Sequence, residues 1–188
     1  MRYWYDTEFI ENGKTIDLIS IGIRAEDGRE YYAINQDCQF GEASEWVKEN
    51  VIAHLPPRFS IDVLGVRTAH PNYKSKRTIR EELLAFVGDK EKGWTAFTKE
   101  MDTKPEFWGY YSAYDHVALC QLFGTMMDLP KGWPMYTRDI KQWCDYLGNP
   151  ALPEQGKDEH HALADARWNK VAWEFLQNLT HPSKAVSA

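Results

Sequence analysis

Tyr5-Asp6-Thr7-Glu8-Phe9, within the run Met1-Arg2-Tyr3-Trp4-Tyr5-Asp6-Thr7-Glu8-Phe9-Ile10, decides how the rest of the chain is read. Aromatic and aliphatic residues surround the two acids, a composition that favours an extended strand. Side chains two apart on a strand share a face, so Asp6 and Glu8 point the same way. Carboxylates so placed repel each other and lose hydration unless a positive group lies between them. A hard divalent cation, which prefers oxygen ligands, meets that need. An edge strand carrying both acids into water meets it too, and these residues alone do not choose.

Working outward, Asn12-Gly13-Lys14 and Asp27-Gly28 are turn signals. They bracket a second strand, Thr15 to Arg24, with Ile19, Ile21 and Ile23 on one face, and precede a third, Arg29 to Ile34. Three antiparallel strands therefore open the chain. A helix is expected from Ala43 to Leu55, burying Trp46, Val47, Val51 and Leu55 before Pro56-Pro57 stops it. Residues 58–75 have no period and read as a loop or irregular crossover. Ser75 to Val87 reads as a second helix. The stretch 88–104 has room for a short strand near Trp94 to Thr98.

Glu106-Phe107-Trp108-Gly109-Tyr110-Tyr111 reads as a strand buried on both faces, hence parallel. A helix follows from Ser112 to Phe123, then a loop to residue 135 and a helix from Thr137 to Leu147. After a loop over 148–158, the last helix runs from His160 to Leu179, with Leu163, Ala164, Val171, Phe175 and Leu176 as its core side. The tail, 180–188, is expected to fray. The pattern predicts an α/β fold: one domain over residues 1–179, with a mixed central sheet of three antiparallel strands and then parallel ones, flanked by helices.

Composition narrows the function classes. The chain has 188 residues, 43% of them hydrophobic, enough for one substantial core. Its 22 basic and 28 acidic residues give a net charge of −6. A module that grips nucleic acid through phosphate contacts alone is usually basic, so the charge disfavours that class more than a metal-dependent nuclease. Cys38, Cys120 and Cys144 are odd in number and far apart, with no CxxC spacing, which suits buried thiols in a reducing compartment. No apolar run is long enough to span a bilayer, and the first residues lack a leader pattern, so a cytoplasmic protein without a membrane partner is expected.

Two later features bear on the acidic pair. Asp115 follows the buried strand at a helix start, where ligands of α/β sheets gather; a carboxylate there also suits the helix dipole without any ligand. His160-His161-Ala162-Leu163-Ala164-Asp165-Ala166 opens the last helix. A separation of five puts His160 and Asp165 together only if His160 sits before or at the helix start. Asp165 lies among small apolar residues, an odd place for an acid without a cationic partner. His161 is the competing histidine.

Asp6-x-Glu8 on a first strand, Tyr114-Asp115 after a later one and His160-x4-Asp165 near the C-terminus resemble the three motifs of the DEDDh exonucleases. These are the RNase T and DnaQ-like 3′–5′ exonucleases of ribonuclease-H-like fold. Tyr5 to Ile10, Leu18 to Gly22 and Ala113 to Leu122 are most similar to the small mycobacterial-type 3′–5′ exoribonucleases. The resemblance implies Asp6, Glu8, Asp115 and Asp165 as metal ligands and His160, at the family spacing, as general base. It also implies a homodimer and a free RNA 3′ end as substrate. The sequence departs from many relatives at Tyr111 and Tyr114, where they carry Asn and Phe. That alters the surroundings of the substrate, not the acids.

An all-oxygen ligand set suits two Mg²⁺ or Mn²⁺ ions, which clamp the attacking and leaving oxygens of a phosphodiester. An imidazole titrates near neutrality and suits a proton acceptor for the attacking water. Thr7, Phe9 and Tyr114 flank the acids and are expected at the terminal nucleotide, the aromatics by stacking. Arg67, Lys74, Lys76, Arg77 and Arg80 form the densest basic stretch, either guiding the phosphate backbone or simply solvated. The leading expectation is a metal-dependent 3′–5′ exoribonuclease acting on single-stranded or 3′-overhanging RNA. A DNA exonuclease of the same fold, or a non-catalytic nucleic-acid-binding protein, are the alternatives.

Overall fold

The computed structural model describes residues 1–88 and 104–181. The strand expected near 94–98 and most of the expected tail lie outside those residues. β1 (Arg2–Glu11), β2 (Ile16–Ala25) and β3 (Glu30–Asn35) form the antiparallel meander expected from the two turn signals. β1 also pairs in parallel with β7 (Glu106–Gly109), which pairs in parallel with β8 (Arg138–Asp139). With β6 (Tyr73–Lys74) beside β3, the sheet order is β6-β3-β2-β1-β7-β8. The mixed α/β sheet is thus the expected one, with β1, the strand of Asp6 and Glu8, inside it rather than at an edge.

The alternation of β1 divides its side chains between two helical layers. Tyr3 and Tyr5 face a core closed by Ile79, Leu83 and Val87 of α2 (Lys76–Val87) and by Ala118 and Leu119 of α3 (Ala113–Gln121). Trp4 faces the other way, onto Ile140 and Cys144 of α4 (Ile140–Tyr146) and Ala172, Trp173 and Leu176 of α5 (Ala162–Thr180). Asp6 and Glu8 follow Trp4 in this alternation and lie on the α5 side. All three cysteines are buried free thiols.

The differences from the sequence reading have local causes. The helix expected over 43–55 shrinks to α1 (Glu45–Asn50) and a 3-10 turn over Ile52–His54. Ser44 caps α1, its Oγ accepting from Val47 N at 3.3 Å. Val51 is buried while Trp46 is 54% exposed, because α1 rests on Ile10 and Ile19 through the Val47–Val51 edge. Residues 58–75 are not an irregular crossover: β4 (Phe59–Ile61) and β5 (Arg67–Ala69) pair as a hairpin ahead of β6. The helix expected from Thr137 starts at Ile140, since Arg138 and Asp139 pair with β7. Along α5, Val171 is exposed, and the buried stripe is Ala162, Asp165, Ala166, Asn169, Ala172, Trp173 and Leu176. Leu176 is buried and Phe175 packs beside it as expected, while at the start of α5 the contact with the sheet is made by the small Ala162 and Ala166 rather than by Leu163 and Ala164.

Gly22 makes that contact possible. It pairs directly with Asp6 across β1 and β2. A Cβ at Gly22 would lie 2.3 Å from the backbone carbon of Ala162 and 2.3 Å from the backbone nitrogen of Leu163. Gly22→Ala therefore pushes the start of α5 off the sheet. A loss of about 3 kcal/mol, the upper end for overpacking, is expected as a lowered urea midpoint. An unchanged midpoint would refute the close approach.

Candidate active site

Oxygens of Asp6, Glu8 and Asp165 lie within 4.8 Å of one another. β1 supplies the first two, and the first turn of α5, seated over Gly22, supplies the third. An all-carboxylate set at this spacing fits a hard divalent cation. Its electrostatics fit as well. Burial, then the charges of Asp115, Glu8 and Asp165, push the Asp6 carboxyl well above its ordinary range. Burial, then the charges of Asp165 and Asp115, push Glu8 up to about 8. Burial raises Asp165 to about 6 against the donors that hold it. The hydrogen bonds to Asp165 and the nearby His160 imidazole offset the crowding only in part, so a bound cation would relieve it.

Asp115 stands apart from that trio, in the first turn of α3. Its Oδ1 accepts from Thr7 N at 2.8 Å and Thr7 Oγ1 at 2.6 Å. Burial raises its pKa to about 6, less far because the two Thr7 donors pull it down. Thr7, expected at the nucleotide, is 4% exposed with both donors engaged, so its side chain acts on Asp115. Phe9 and Tyr114 do form an aromatic pair beside it, ring centroids 5.7 Å apart, with Tyr114 exposed.

The two histidines separate cleanly. His161 is the N-cap of α5, its Nδ1 accepting from Ala164 N at 3.4 Å, and its ring stacks on Tyr32. His160 precedes the helix with φ of 69°, and its backbone N–H donates to Asp165 Oδ2 at 3.0 Å. A cleft is lined by Asp6, Tyr110, Gln155, Glu159, His160, Asp165, Trp168 and Asn169, so His160 borders it and His161 does not.

Several lining residues escaped the sequence reading. Gln155 Nε2 donates to Asp165 Oδ1 from a loop whose composition carries no signal. Asn169 is buried, and its Nδ2 donates to the Tyr5 carbonyl at 2.9 Å, tying α5 to β1 beside Asp6. Its spacing of four from Asp165 on one helix could have revealed it. The basic stretch is largely paired: Lys74 with Glu82, Lys76 with Asp17 and Arg77 with Glu81.

Comparisons with known proteins place the whole of this architecture in one family. Residues 1–177 match the model of the Rv2179c-like 3′-5′ exoribonuclease domain. The chain belongs to the Rv2179c-like 3′-5′ exoribonuclease family. It is 42% identical over 167 residues to the 3′-5′ exoribonuclease Rv2179c of Mycobacterium tuberculosis strain H37Rv, covering 89% of this chain and 88% of that protein. The 3′-5′ exoribonuclease MT2234.1 of strain CDC 1551 matches to the same extent. The mycobacterial-type resemblance is thus correct. Within this Rv2179c-like domain no described helix is long and apolar enough to cross a membrane.

Tyr111 has an unusual backbone conformation, with φ of 55°, a left-handed geometry that Asn tolerates and a bulky side chain does not. Its ring is 64% exposed and packs on Tyr110. Tyr111→Asn is expected to gain about 1 kcal/mol from relieved strain. The melting temperature should then rise by about 2–4 °C. A fall would mean that the Tyr110 contact outweighs the strain.

Proposed function

We propose that this chain is a 3′–5′ exoribonuclease of single-stranded or 3′-overhanging RNA, working with two Mg²⁺ or Mn²⁺ ions and with His160 as general base. The observation that carries the reading is the Asp6–Glu8–Asp165 cluster, two of whose members, Asp6 and Asp165, line one cleft with His160. Asp6, Glu8 and Asp165, with Asp115 beside them, would hold the ions. When bound, the ions neutralise charge gathering on the phosphate and align the attacking and leaving oxygens.

The chain's own groups carry the remaining work. The water oxygen forms a bond to phosphorus as the bond from phosphorus to the 3′ oxygen of the preceding nucleotide breaks. One water proton passes to His160, the departing 3′ oxygen takes a proton from solvent water, and the products are a nucleoside 5′-monophosphate and an RNA shorter by one nucleotide with a free 3′-hydroxyl. The Asp165 carboxylate, held by His160 N–H and Gln155 Nε2, fixes the α5 start so that the imidazole and the acids face one cleft. Thr7 fixes Asp115 in the same way. Exposed Tyr114, packed on the half-buried Phe9, offers aromatic surface to RNA bases beside the acids.

Residues 1–179 act as one catalytic unit in this reading, and the family resemblance favours a homodimer. The exposed aliphatic tip of the β4–β5 hairpin, Ile61, Val63, Leu64 and Val66, is apolar surface that a second subunit can cover. Unbridged buried thiols suit the cytoplasm.

A gel time course on 5′-labelled 3′-overhanging RNA and its DNA counterpart, with Mg²⁺, Mn²⁺ or EDTA, tests the reading. A metal-dependent ladder of shortening RNA is expected, and His160→Ala should slow it at least about 10²-fold. A ladder mainly on DNA would move the substrate to DNA. No cleavage by folded, metal-bound protein would leave the binding-protein alternative.

A further inference from the structure

We propose that Gln155 is a positioning residue for the cation site and for His160 together, the clasp of a loop closed at both ends on one carboxylate; the inference rests on the exoribonuclease reading above. Asp165 accepts from Gln155 Nε2 at Oδ1 and from the His160 N–H at Oδ2, the latter at 3.0 Å. Between those donors run Gly156, Lys157, Asp158 and Glu159, all exposed. The segment 156–159 therefore leaves the protein surface at one oxygen of Asp165 and returns at the other.

Before Gln155 the loop is tied to the helices by other means. The Asn149 N–H donates to the Cys144 carbonyl at 2.9 Å, and Trp168 Nε1 donates to the Pro153 carbonyl at 3.0 Å. Half-buried Leu152 packs into the core between α4 and α5. Gln155 is the next tie, and the one that reaches the acids. At the far end, His160 has φ of 69°, a left-handed conformation that a residue with a side chain keeps only where its surroundings fix it. Freeing the loop at Gln155 removes one of the constraints that fix it.

The type of donor suits a cation site. A carboxylate offers about four lone-pair sites, so the two donors on Asp165 leave room for an ion. A neutral amide holds Oδ1 without bringing positive charge, and Asp165 keeps its own charge for the ion. A lysine or arginine there would neutralise it. With both oxygens held, the plane of the carboxylate is set before an ion arrives; with one donor gone, it can turn about Cβ–Cγ. Hydrogen-bonding partners of ligating carboxylates act on metal affinity in this way.

The test compares wild type with Gln155→Met, which keeps the length and loses the donor, and with Gln155→Ala. Melting curves confirm that the variants are folded. Calorimetry measures Mn²⁺ affinity, trypsin in EDTA measures cleavage after Lys157, and a 5′-labelled single-stranded RNA gives kcat and KM at saturating Mn²⁺. Both variants should bind Mn²⁺ about 10- to 100-fold more weakly, the range for losing such a partner. Both should be cut faster after Lys157 and show a lower kcat with the RNA KM unchanged. Wild-type Mn²⁺ affinity and wild-type cleavage in both variants would overturn the clasp. So would a lower melting temperature with Mn²⁺ affinity intact, which would make Gln155 a structural tie alone. A raised KM with Mn²⁺ affinity intact would overturn it too and make Gln155 an RNA contact. A wild type that binds Mn²⁺ and leaves RNA whole would overturn the exoribonuclease reading, while affinity and cleavage would still decide the clasp.

Discussion

Replacing Asp6 with Asn should lower RNA shortening by about 10³-fold or more while raising the melting temperature of the metal-free protein at pH 8. Both effects have one source. Asp6 sits in the sheet interior, where burial and the charges of Asp115, Glu8 and Asp165 all oppose its ionised form. Ionising it without a cation costs stability; in the two-ion reading proposed above, the same charge would hold the cations. The neutral amide keeps the shape, removes the repulsion and would remove the charged ligand. A gain of about 1 kcal/mol corresponds to a rise of about 2–4 °C for a chain of this size. Divalent ions should then stabilise wild type and barely move the variant, since only ligands bound to the folded state raise its stability. Activity within about tenfold of wild type would remove Asp6 from the metal site. A lower melting temperature in EDTA would mean that the carboxylate makes a stabilising contact.

This pairing of crowded acids with a structural cost explains what was legible in the sequence. Alternation along β1 placed Asp6 and Glu8 together, but the run around them left an edge strand equally open, and only the pairing with β7 puts the strand inside the sheet. The separation of His160 from Asp165 was readable because a helix start restricts it: the residue preceding the N-cap can turn back on the first turn, as the His160 N–H does. Trp46 was misread because helical spacing gives a face but not which edge of it meets the sheet. The hairpin over residues 59–69 was missed because its side chains face water, so no apolar period marks it. Gln155 was invisible for a different reason, as its role depends on where a loop crosses Asp165, a tertiary fact with no local signature. Thr7 was assigned to substrate because it lies between two ligands in sequence. Alternation turns it to the other face, where it holds Asp115 instead.

The second large effect is on stability against pH in the absence of divalent ions, which should peak near pH 5 and fall by roughly 10 °C in melting temperature toward pH 8. Glu8 is pushed up to about 8, and Asp115 and Asp165 to about 6, burial being the first cause for each. An unfolded carboxyl releases its proton near pH 4. Between that value and the folded one, the folded protein holds more protons than the unfolded chain. Its advantage is therefore complete below about pH 4 and drains away as pH climbs through 6 and 8. Each unit of separation is worth about 1.4 kcal/mol, discounted here for relaxation of a partly hydrated site. Glu30 works in the opposite direction. Hydrogen bonding from Arg167, then Arg24, holds it down to about 2, so its smaller, solvent-screened contribution is lost as pH falls from about 4.5 to 2. The two trends leave the maximum between them. Millimolar Mn²⁺ at pH 8 should restore the lost stability, because the ion takes the place of the protons the cluster gives up, and its affinity should rise with pH for the same reason. Thermal unfolding in EDTA across pH 5–8, with and without Mn²⁺, and with Glu8→Gln, measures this directly. The variant should flatten the alkaline limb. A wild-type profile already flat in EDTA would mean that the three acids are not crowded in solution, and the cation site argued from their proximity would lose its physical basis.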